Sequence, residues 1–368
     1  MATRDGHSRR DFLQGRAAAE VLVDQAQTWV DSAAEALGNA VLPRATMHVR
    51  ACRRAMACEF AVQYHMEDGD AAEHALTALD LIETLESQMS IYRDHSEVIA
   101  INRQAADSAV PVEAGLFAQL ELAARLHAAT DGAFDITSGP LSQVWGFLQR
   151  VPRVPSEEEI RSVLDRVGFD KLALDSPRQT IRFLHPGVEI NFNSIGKGYA
   201  LDRAAAWLAS HGVTDYLWHG GQSSVLASGR NRAGQTDAWT IGLRHPHDPE
   251  HYLAEIHLRD RALATAGGAT QFFEQESQRY CHILDPRTGW PVEGMLSATA
   301  LATTAAEADA LATAFFVMDV DAVRQYCRVH PDIGAVLVCL ELETAQVSLH
   351  SFGLDQADWA TPGEPTCD

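Results

Sequence analysis

The sequence lacks long hydrophobic runs and any surplus of positive charge. No stretch of about 18 uninterrupted apolar residues occurs, which excludes a membrane-spanning helix. Lys and Arg number 29 against 50 Asp and Glu, a formal net charge of −21. Such an acidic surface repels a phosphodiester backbone, so nucleic acid is not an expected partner. An anionic small molecule would need a basic group or a metal ion inside its pocket.

Cysteines and internal repeats are also scarce. The six cysteines form no C-x-x-C pair and are too few for a disulfide scaffold in 368 residues. No low-complexity tract and no repeat with a period of about 20 to 50 residues is present. What remains is a composition typical of globular proteins, with 46% hydrophobic and 21% charged residues. The length suits one large domain or two closely associated ones.

The first 46 residues are expected to form a leader or a flexible N-terminal segment. They are rich in alanine, and their Arg9 and Arg10 resemble a twin-arginine export signal, but charged residues interrupt the stretch where an apolar core should follow. Two compartments therefore stay open: the cytoplasm, or export across the inner membrane if this degenerate signal works. We expect the main folded domain over residues 47–360 and a short tail over residues 361–368.

Hydrophobic periodicity predicts a mixed α+β fold. The pattern over residues 71–89 predicts a helix with one apolar face, formed by Leu76, Leu79, Ile82, Leu85 and Met89. Capping boxes at residues 156–159 and 304–307 predict two further helix starts. Strand character appears at residues 59–64, 180–183, 188–190 and 335–338. Because the strands cluster instead of alternating strictly with helices, we expect largely antiparallel sheets with packed helices.

Two glycine-containing segments are candidates for ligand contact. Residues 130–147 combine carboxylates, glycines and large aromatics, as a ligand-facing loop does, although a simple turn between a helix and a strand has the same composition. In residues 190–199, Lys197 lies between two glycines at a predicted helix start. The free amides and the macrodipole of a helix N-terminus favour phosphate there, and the alternative is a helix start with a solvated lysine. The segment does not match a P-loop.

Two further segments carry candidate catalytic and metal-binding groups. His282 precedes a proline- and glycine-shaped turn at residues 285–289, where it is either a general base or a hydrogen-bonded structural residue. Asp309 and Thr313 share one face of a predicted helix and offer oxygen ligands suited to Mg²⁺, with a third ligand required from elsewhere. Asp309 is expected in the first turn, where alanine would be tolerated. We interpret the histidine-rich residues 245–251 as a surface hairpin loop instead of a zinc site.

Eight segments in one order resemble the ApbE-like flavin transferases, the FAD:protein FMN transferase family, over about residues 54–340. The segments are residues 54–60, 89–102, 130–141, 190–199, 219–221, 264–268, 280–291 and 307–315. The resemblance implies the ApbE-like flavin transferase fold. It also implies an enzyme that transfers the FMN half of FAD to a Ser or Thr hydroxyl of a partner protein and releases AMP. The partner that it implies is a flavoprotein of an electron-transfer system.

The resemblance implies a role for individual residues as well. It makes His282 the catalytic residue that activates the acceptor hydroxyl. It assigns Mg²⁺ to Asp309, Thr313 and the backbone carbonyl of Ser194. The contacts to FAD that it implies are Met56, Tyr92, Ala133, Phe134, Asp135, Asn191, Lys197 and Ile283.

The chain departs from the family pattern at several positions. Asn191 replaces the usual aspartate, which keeps a hydrogen-bond acceptor but loses its charge, and Ala312 stands where some members have a second aspartate. Ala57 and Cys58 replace Gly-Thr, and residues 266–268 replace a Ser-Gly-aromatic element. Two other functions therefore stay open beside flavin transfer: hydrolysis of FAD to FMN and AMP, and flavin binding or delivery without catalysis.

Overall fold

The computed structural model describes residues 47–149, 151–233, 237–246, 248, 250–268, 272–276, 278–340, 346–355 and 357–360. The expected leader, with its export-like arginines, and the expected tail lie outside these residues. The domain limits and the compartment therefore stay predictions. Within the described residues, no helix combines the length and the apolar character needed to cross a membrane.

Strands and helices alternate irregularly along the chain. The strands are β1 (His48–Ala55), β2 (Cys58–His65), β3 (Val110–Pro111), β4 (Leu172–Asp175), β5 (Thr180–Phe183), β6 (Tyr216–Gly220), β7 (Ser224–Ser228), β8 (Trp239–Arg244), β9 (Tyr252–Leu258), β10 (Arg261–Gly267), β11 (Phe272–Gln275), β12 (Gln278–Cys281), β13 (Met295–Ala302), β14 (Gly334–Leu340), β15 (Val347–Phe352) and β16 (Trp359–Ala360). The helices are α1 (Ala71–Met89), α2 (Glu97–Gln104), α3 (Ala114–Ala129), α4 (Gly139–Val144), α5 (Glu157–Leu164), α6 (Gly196–Ser210), α7 (Ala305–Val317) and α8 (Val320–Val329).

One large sheet organises these elements. Its eight strands follow the order β1-β2-β6-β7-β10-β13-β14-β15, and each neighbouring pair is antiparallel. Smaller antiparallel sheets have the orders β16-β9-β8, β3-β5-β4 and β11-β12. The prediction of an α+β fold with largely antiparallel sheets is confirmed. The histidine-rich stretch connects β8 to β9, as expected of a hairpin loop.

The central strands of the large sheet are buried on both faces. Ala262, Ala264 and Ala300 belong to the core under the helices, whereas the intervening Leu263 and Leu301 belong to a second core shared with β8 and β9. This alternation follows from the two-residue period of a strand. Alanines on the helix side leave room for α7, which packs on β10 and β13.

Two details of the predicted secondary structure are wrong for identifiable reasons. α1 has the predicted bounds, but Leu76 is 50% exposed, and Ala75 and Ala78 are buried instead. Leu76 lies about 100° around the helix from Ala75, outside the buried face. The predicted strand at residues 188–190 does not form. The amide side chain of Asn102 bonds both the N–H (2.9 Å) and the C=O (3.0 Å) of Ile190, replacing a partner strand.

Both predicted helix starts are confirmed. Ser156 and Glu159 form a reciprocal capping box at α5, and Thr304 accepts a hydrogen bond from the Glu307 N–H at α7. A side chain from another helix completes the second cap. Asp202, on α6, accepts hydrogen bonds from the amides of Ala305 (2.7 Å) and Ala306 (2.9 Å). Burial raises the pKa of Asp202 to about 6, although these two hydrogen bonds act in the opposite direction.

The same two helices approach each other closely at Gly198. A Cβ at this position would lie 2.0 Å from the backbone oxygen of Ala305, far inside contact distance. Only glycine therefore permits this crossing. The Gly198 N–H also donates to Oδ2 of Asp309 in α7 (2.8 Å), so the close contact of the two backbones also sets the position of an acidic side chain.

Replacing Gly198 by alanine should destabilise the fold. The added methyl must push α6 away from the α7 backbone, and overpacking of this kind costs about 1–3 kcal/mol. Denaturant unfolding measures the effect. Gly69→Ala is the matched control, because a Cβ at Gly69 would meet nothing within 4 Å. Equal stability of the two variants would contradict the proposed role of the helix crossing.

Candidate functional site

A cavity of about 580 Å³ lies where the α6 N-terminus, α7, the end of β10 and the turn after β12 meet. Ten of the twelve residues expected in the site line it: Tyr92, Ala133, Asp135, Asn191, Ser194, Lys197, His282, Ile283, Asp309 and Thr313. They come from five separate stretches of sequence. The structure thus brings these predicted residues together, while their roles in binding stay predictions.

Met56 and Phe134 are not in the lining of this cavity. The Phe134 ring is 1% exposed within the main core, and its carbonyl oxygen lies 3.0 Å from Nδ1 of His127. Met56 packs partly buried against the same core in the turn between β1 and β2. Met56 and Ala57 have φ of 49° and 60° there. Both lie in the left-handed region that favours glycine, the residue the family pattern has in place of Ala57.

Lys197 supplies positive charge at the start of α6. The helix begins at Gly196, and its N-cap residue, Ile195, provides no capping side chain. The Lys197 ammonium lies 3.8 Å from Oδ1 of Asp309. A lysine beside the positive end of a helix dipole attracts phosphate. The cavity therefore has the local cation that an anionic ligand requires in a protein with a net charge of −21.

Asp309 occupies the centre of a hydrogen-bond network. Its Oδ1 accepts from the Ser224 hydroxyl (2.6 Å), and its Oδ2 accepts from the Gly198 N–H (2.8 Å). The side chain is 6% exposed and lies in the second turn of α7, which starts at Ala305. The expectation of a first-turn residue is therefore wrong, and alanine would leave two buried donors, the Gly198 N–H and the Ser224 hydroxyl, without their acceptor.

The oxygen atoms around Asp309 are of the kind that Mg²⁺ prefers. The Asp309 carboxylate, the Thr313 hydroxyl and Ser194 all belong to the cavity wall, and Thr313 lies one helical turn from Asp309. No cluster of three or more His, Cys, Asp or Glu side chains suited to a metal occurs among the residues that the structure describes. A cation here would depend on one carboxylate, a hydroxyl and a carbonyl, with water and substrate phosphate completing its shell. Mg²⁺ commonly binds in this way, so the residues fit it.

Asp135 is held rigidly in the loop between α3 and α4. Its Oδ1 accepts hydrogen bonds from the N–H (2.7 Å) and the hydroxyl (2.6 Å) of Thr137, and its Oδ2 lies 3.3 Å from Nδ1 of His127. Burial raises the pKa of Asp135, and the contacts with Thr137 and His127 partly offset that effect. This predicted FAD contact therefore has a fixed orientation in the cavity wall.

His282 directly follows β12 and precedes a turn that is fixed from two sides. The Gly289 N–H donates to the Asp285 carbonyl (2.8 Å), and Gly289 has φ of 78°, a conformation that favours glycine. The indole N–H of buried Trp145 donates to the Gly289 carbonyl (2.9 Å). His282 and the neighbouring Ile283 thus lie on a segment that is held by β12 before it and by the hydrogen-bonded turn at Gly289 after it.

Tyr92 is the exposed aromatic of the cavity. Its side chain is 73% exposed, and its N–H donates to the Ser90 hydroxyl (3.1 Å) just after α1 ends. An exposed ring beside a cavity offers a flat apolar surface on which a ligand ring can stack. The contact of Tyr92 with FAD, which the resemblance implies, stays a prediction.

Sequence reasoning missed the residues that position Asp309 and join the strands at the cavity. Ser224 binds the carboxylate directly, and Asp202 fixes the start of its helix. Ser223 and Thr265 line the cavity, and the Thr265 N–H donates to the Ser223 carbonyl (2.8 Å). The local signals were the segments 219–221 and 264–268 of the family resemblance, which lie beside or contain these residues but indicate no contact to a helix far along the chain.

Comparisons with known proteins agree with the fold. The sequence profile of the ApbE family matches residues 56–337. The FAD:protein FMN transferase of Vibrio cholerae serotype O1 is 32% identical over 269 residues, 72% of this chain and 79% of the relative. The Escherichia coli K12 enzyme of the same name is 30% identical over 262 residues, 70% and 73% of the two chains.

Solved structures show the same likeness. The flavin transferase ApbE from Vibrio cholerae has a TM-score of 0.74 and 27% identity, covering 83% of this chain and 97% of the other. The ApbE protein from Thermotoga maritima has a TM-score of 0.73 and 28% identity, covering 82% and 96%. Fold and sequence together define a transferase of the flavin transferase class. The chain belongs to the ApbE family, so the predictions of the family, its fold and an enzyme are confirmed.

Replacing Asp309 by alanine should lower the stability of the protein without any ligand present. The Gly198 N–H and the Ser224 hydroxyl lose their acceptor, and a buried donor left unsatisfied costs about 1–3 kcal/mol. Asp309→Asn should lose less, because it keeps the shape and one acceptor oxygen. Denaturant unfolding compares both with Glu158→Ala, an exposed carboxylate of α5. Equal stability of Asp309→Ala and the control would exclude the structural part of the role of Asp309.

Proposed function

We propose that this protein transfers FMN from FAD to a Ser or Thr hydroxyl of a partner protein and releases AMP, with Mg²⁺ bound at Asp309. The observation that carries the proposal is the single cavity that contains Lys197, Asp309, Thr313 and His282. These side chains provide a cation for phosphate, hard oxygen ligands and an imidazole. Family membership supports FAD as the substrate, since the relatives are FAD:protein FMN transferases.

The diphosphate of FAD would bind beside Lys197 and the N-terminus of α6. Asp309, Thr313 and the carbonyl of Ser194 would hold Mg²⁺, which when bound neutralises diphosphate charge and stabilises the departing AMP. The Lys197 ammonium, 3.8 Å from the Asp309 carboxylate, supplies charge for the same phosphates. Asn191 and Ala312 line the cavity where the family pattern has or permits carboxylates. The site therefore places fewer negative charges beside the diphosphate.

His282 would act on the acceptor. Its imidazole takes the proton of the Ser or Thr hydroxyl as the hydroxyl oxygen bonds to the phosphorus of the FMN moiety. The bond between that phosphorus and the oxygen of the AMP phosphate breaks, and AMP leaves with the electron pair. The product is a phosphoester between FMN and the acceptor. The rigid turn after His282 supports this role, since a general base must keep its position during the reaction.

The partner would be a flavoprotein of an electron-transfer system. The enzyme would act in the compartment of that acceptor, either in the cytoplasm or, if the export-like leader works, across the inner membrane. Two other outcomes define the test of this function. Water could replace the acceptor, which would make the protein an FAD pyrophosphatase, or the cavity could bind and deliver the flavin without chemistry.

One incubation separates these functions. Purified protein receives FAD and MgCl₂, with or without the acceptor protein of the Vibrio cholerae relative, and that relative serves as the positive control. Flavin fluorescence of the denatured acceptor measures covalent FMN, and chromatography measures AMP and free FMN. We expect AMP and labelled acceptor in equal amounts. AMP with free FMN would favour the hydrolase, and FAD binding without AMP would favour a delivery protein.

Replacing His282 by alanine should slow transfer by about 10²- to 10⁴-fold. FAD binding requires no general base, so the dissociation constant for FAD should change little. Single-turnover labelling gives the rate, and quenching of flavin fluorescence gives the affinity. His185→Ala, at an exposed histidine, is the matched control. A variant that binds FAD poorly but transfers at the normal rate once saturated would make His282 a binding residue.

A further inference from the structure

A second cavity of about 560 Å³ lies between the large sheet and the β8–β9 hairpin. Its wall is mostly apolar, with Leu217, Val225, Ile241, Leu243 and Leu263 among the side chains. These residues belong to, or pack against, the second hydrophobic core. None of the twelve residues expected in the flavin transferase site is part of this wall. The expected contacts with FAD and Mg²⁺ therefore give this second cavity no function.

The two cavities meet at the ends of neighbouring strands. Ser223, Thr265 and Gly267 line both of them. Ser223 is followed by Ser224, whose hydroxyl binds the Asp309 carboxylate. The junction thus lies beside the proposed phosphate site, where an acceptor hydroxyl has to arrive. A segment that occupies the second cavity could place its hydroxyl at the junction.

The junction is shaped by an unusual turn. Gly221 and Gln222, between β6 and β7, have φ of 61° and 62°. The left-handed conformation is ordinary for glycine but uncommon for glutamine. Both residues line the second cavity. Strained backbone of this kind concentrates at ligand-contacting positions, where the surrounding structure maintains it.

The wall also contains polar atoms without partners. Nδ1 of His219 and the hydroxyl of Ser297 are buried and have no hydrogen-bond partner among the residues that the structure describes. Ser297 is 7% exposed. Buried polar groups are normally satisfied, and an exception needs an explanation. Hydrogen bonding to an occupant of the cavity, after rotation of the serine side chain, would satisfy this hydroxyl.

A bulge in β13 lies beside this space. The pairing of β13 with β14 shifts register between Met295 and Ser297. Leu296 and Ser297 both line the second cavity. Leu296 is half-buried and lies outside the hydrophobic clusters formed by the described residues. Its side chain is available to an occupant.

The charge of the wall differs from that of the whole molecule. Arg244 lines the cavity, and no carboxylate does so among the described residues. The protein as a whole has a net charge of −21 and repels negatively charged partners. This repulsion is weaker at the wall of the second cavity. An acidic side chain of a docked segment would meet Arg244.

We propose that the second cavity binds an extended segment of the acceptor protein, with an apolar side chain against Leu296 and the accepting hydroxyl directed to the junction at Ser223 and Thr265. This inference rests on the proposed transfer of FMN to a protein hydroxyl. An extended segment suits the cavity because its side chains alternate, so that one apolar group enters the space while the next position reaches the neighbouring site. The Ser297 hydroxyl, after rotation of its side chain, then bonds the segment.

Leu296→Trp tests this docking site by filling it. The KM for the acceptor should rise about 10- to 100-fold, the range that loss of a pocket for one apolar side chain produces. The rate at saturating acceptor and the dissociation constant for FAD should stay unchanged. The probe is the acceptor protein of the Vibrio cholerae relative. Leu76→Trp, at an exposed leucine of α1, is the matched control.

Ser297→Ala is the second variant. Alanine is smaller than serine, so this substitution does not disturb the fold by overpacking the core. Removing an unsatisfied buried hydroxyl should leave thermal stability equal or higher, while the KM for the acceptor rises. If neither variant changes this KM, the docking site is excluded. If Leu296→Trp weakens FAD binding instead, the cavity holds part of the flavin and the proposal is overturned.

The wild-type reaction distinguishes a failure of the docking site from a failure of the proposed transfer function. Labelling of the acceptor by the unaltered protein establishes FMN transfer before any variant is compared. Absence of AMP and of label from the wild type would contradict the transfer function itself. Normal wild-type labelling together with unchanged variants would contradict only the docking site.

Discussion

The contact between α6 and α7 is the constraint on which the site depends. Gly198 allows the two backbones to approach, Asp202 caps α7 from α6, and Asp309 accepts the Gly198 N–H in return. The three interactions fix both the distance and the rotation of the helices. Lys197 and Asp309 lie next to this contact and are brought within 3.8 Å of each other. Cation and carboxylate are thus positioned by packing before any ligand binds.

The large sheet provides the surface against which this helix pair is placed. Its central strands present alanines to the helices and larger aliphatic side chains to the second core, so α7 lies close to β10 and β13. The tight turn before β7 then brings Ser224 to the Asp309 carboxylate. The same strand ends separate a polar cavity from an apolar one and join them at shared residues. In the proposed function, these strand ends would serve both FAD and a segment of the acceptor protein.

The distribution of charged side chains differs between the two cavities and the rest of the protein. The protein is strongly acidic as a whole, yet each cavity has a basic side chain, Lys197 in one and Arg244 in the other. Buried carboxylates occur where hydrogen-bond donors are already in place, as at Asp135 with Thr137 and at Asp309 with Ser224. Preorganised donors of this kind lower the cost of burying charge.

The sequence by itself determined the family, the α+β class and ten residues of the polar cavity, because short motifs with distinctive glycines and polar groups are local properties of the chain. The bounds of α1 and the caps at Ser156 and Thr304 follow from local periodicity and capping chemistry. Tertiary structure decided that Asn102 replaces a strand partner for Ile190, that the Phe134 ring enters the core, and that Asp309 sits in a buried network. The contacts of Asn102 and Asp309 join residues about 80 to 110 positions apart. No local pattern encodes the geometry of such contacts, because it is set by how whole helices and strands pack.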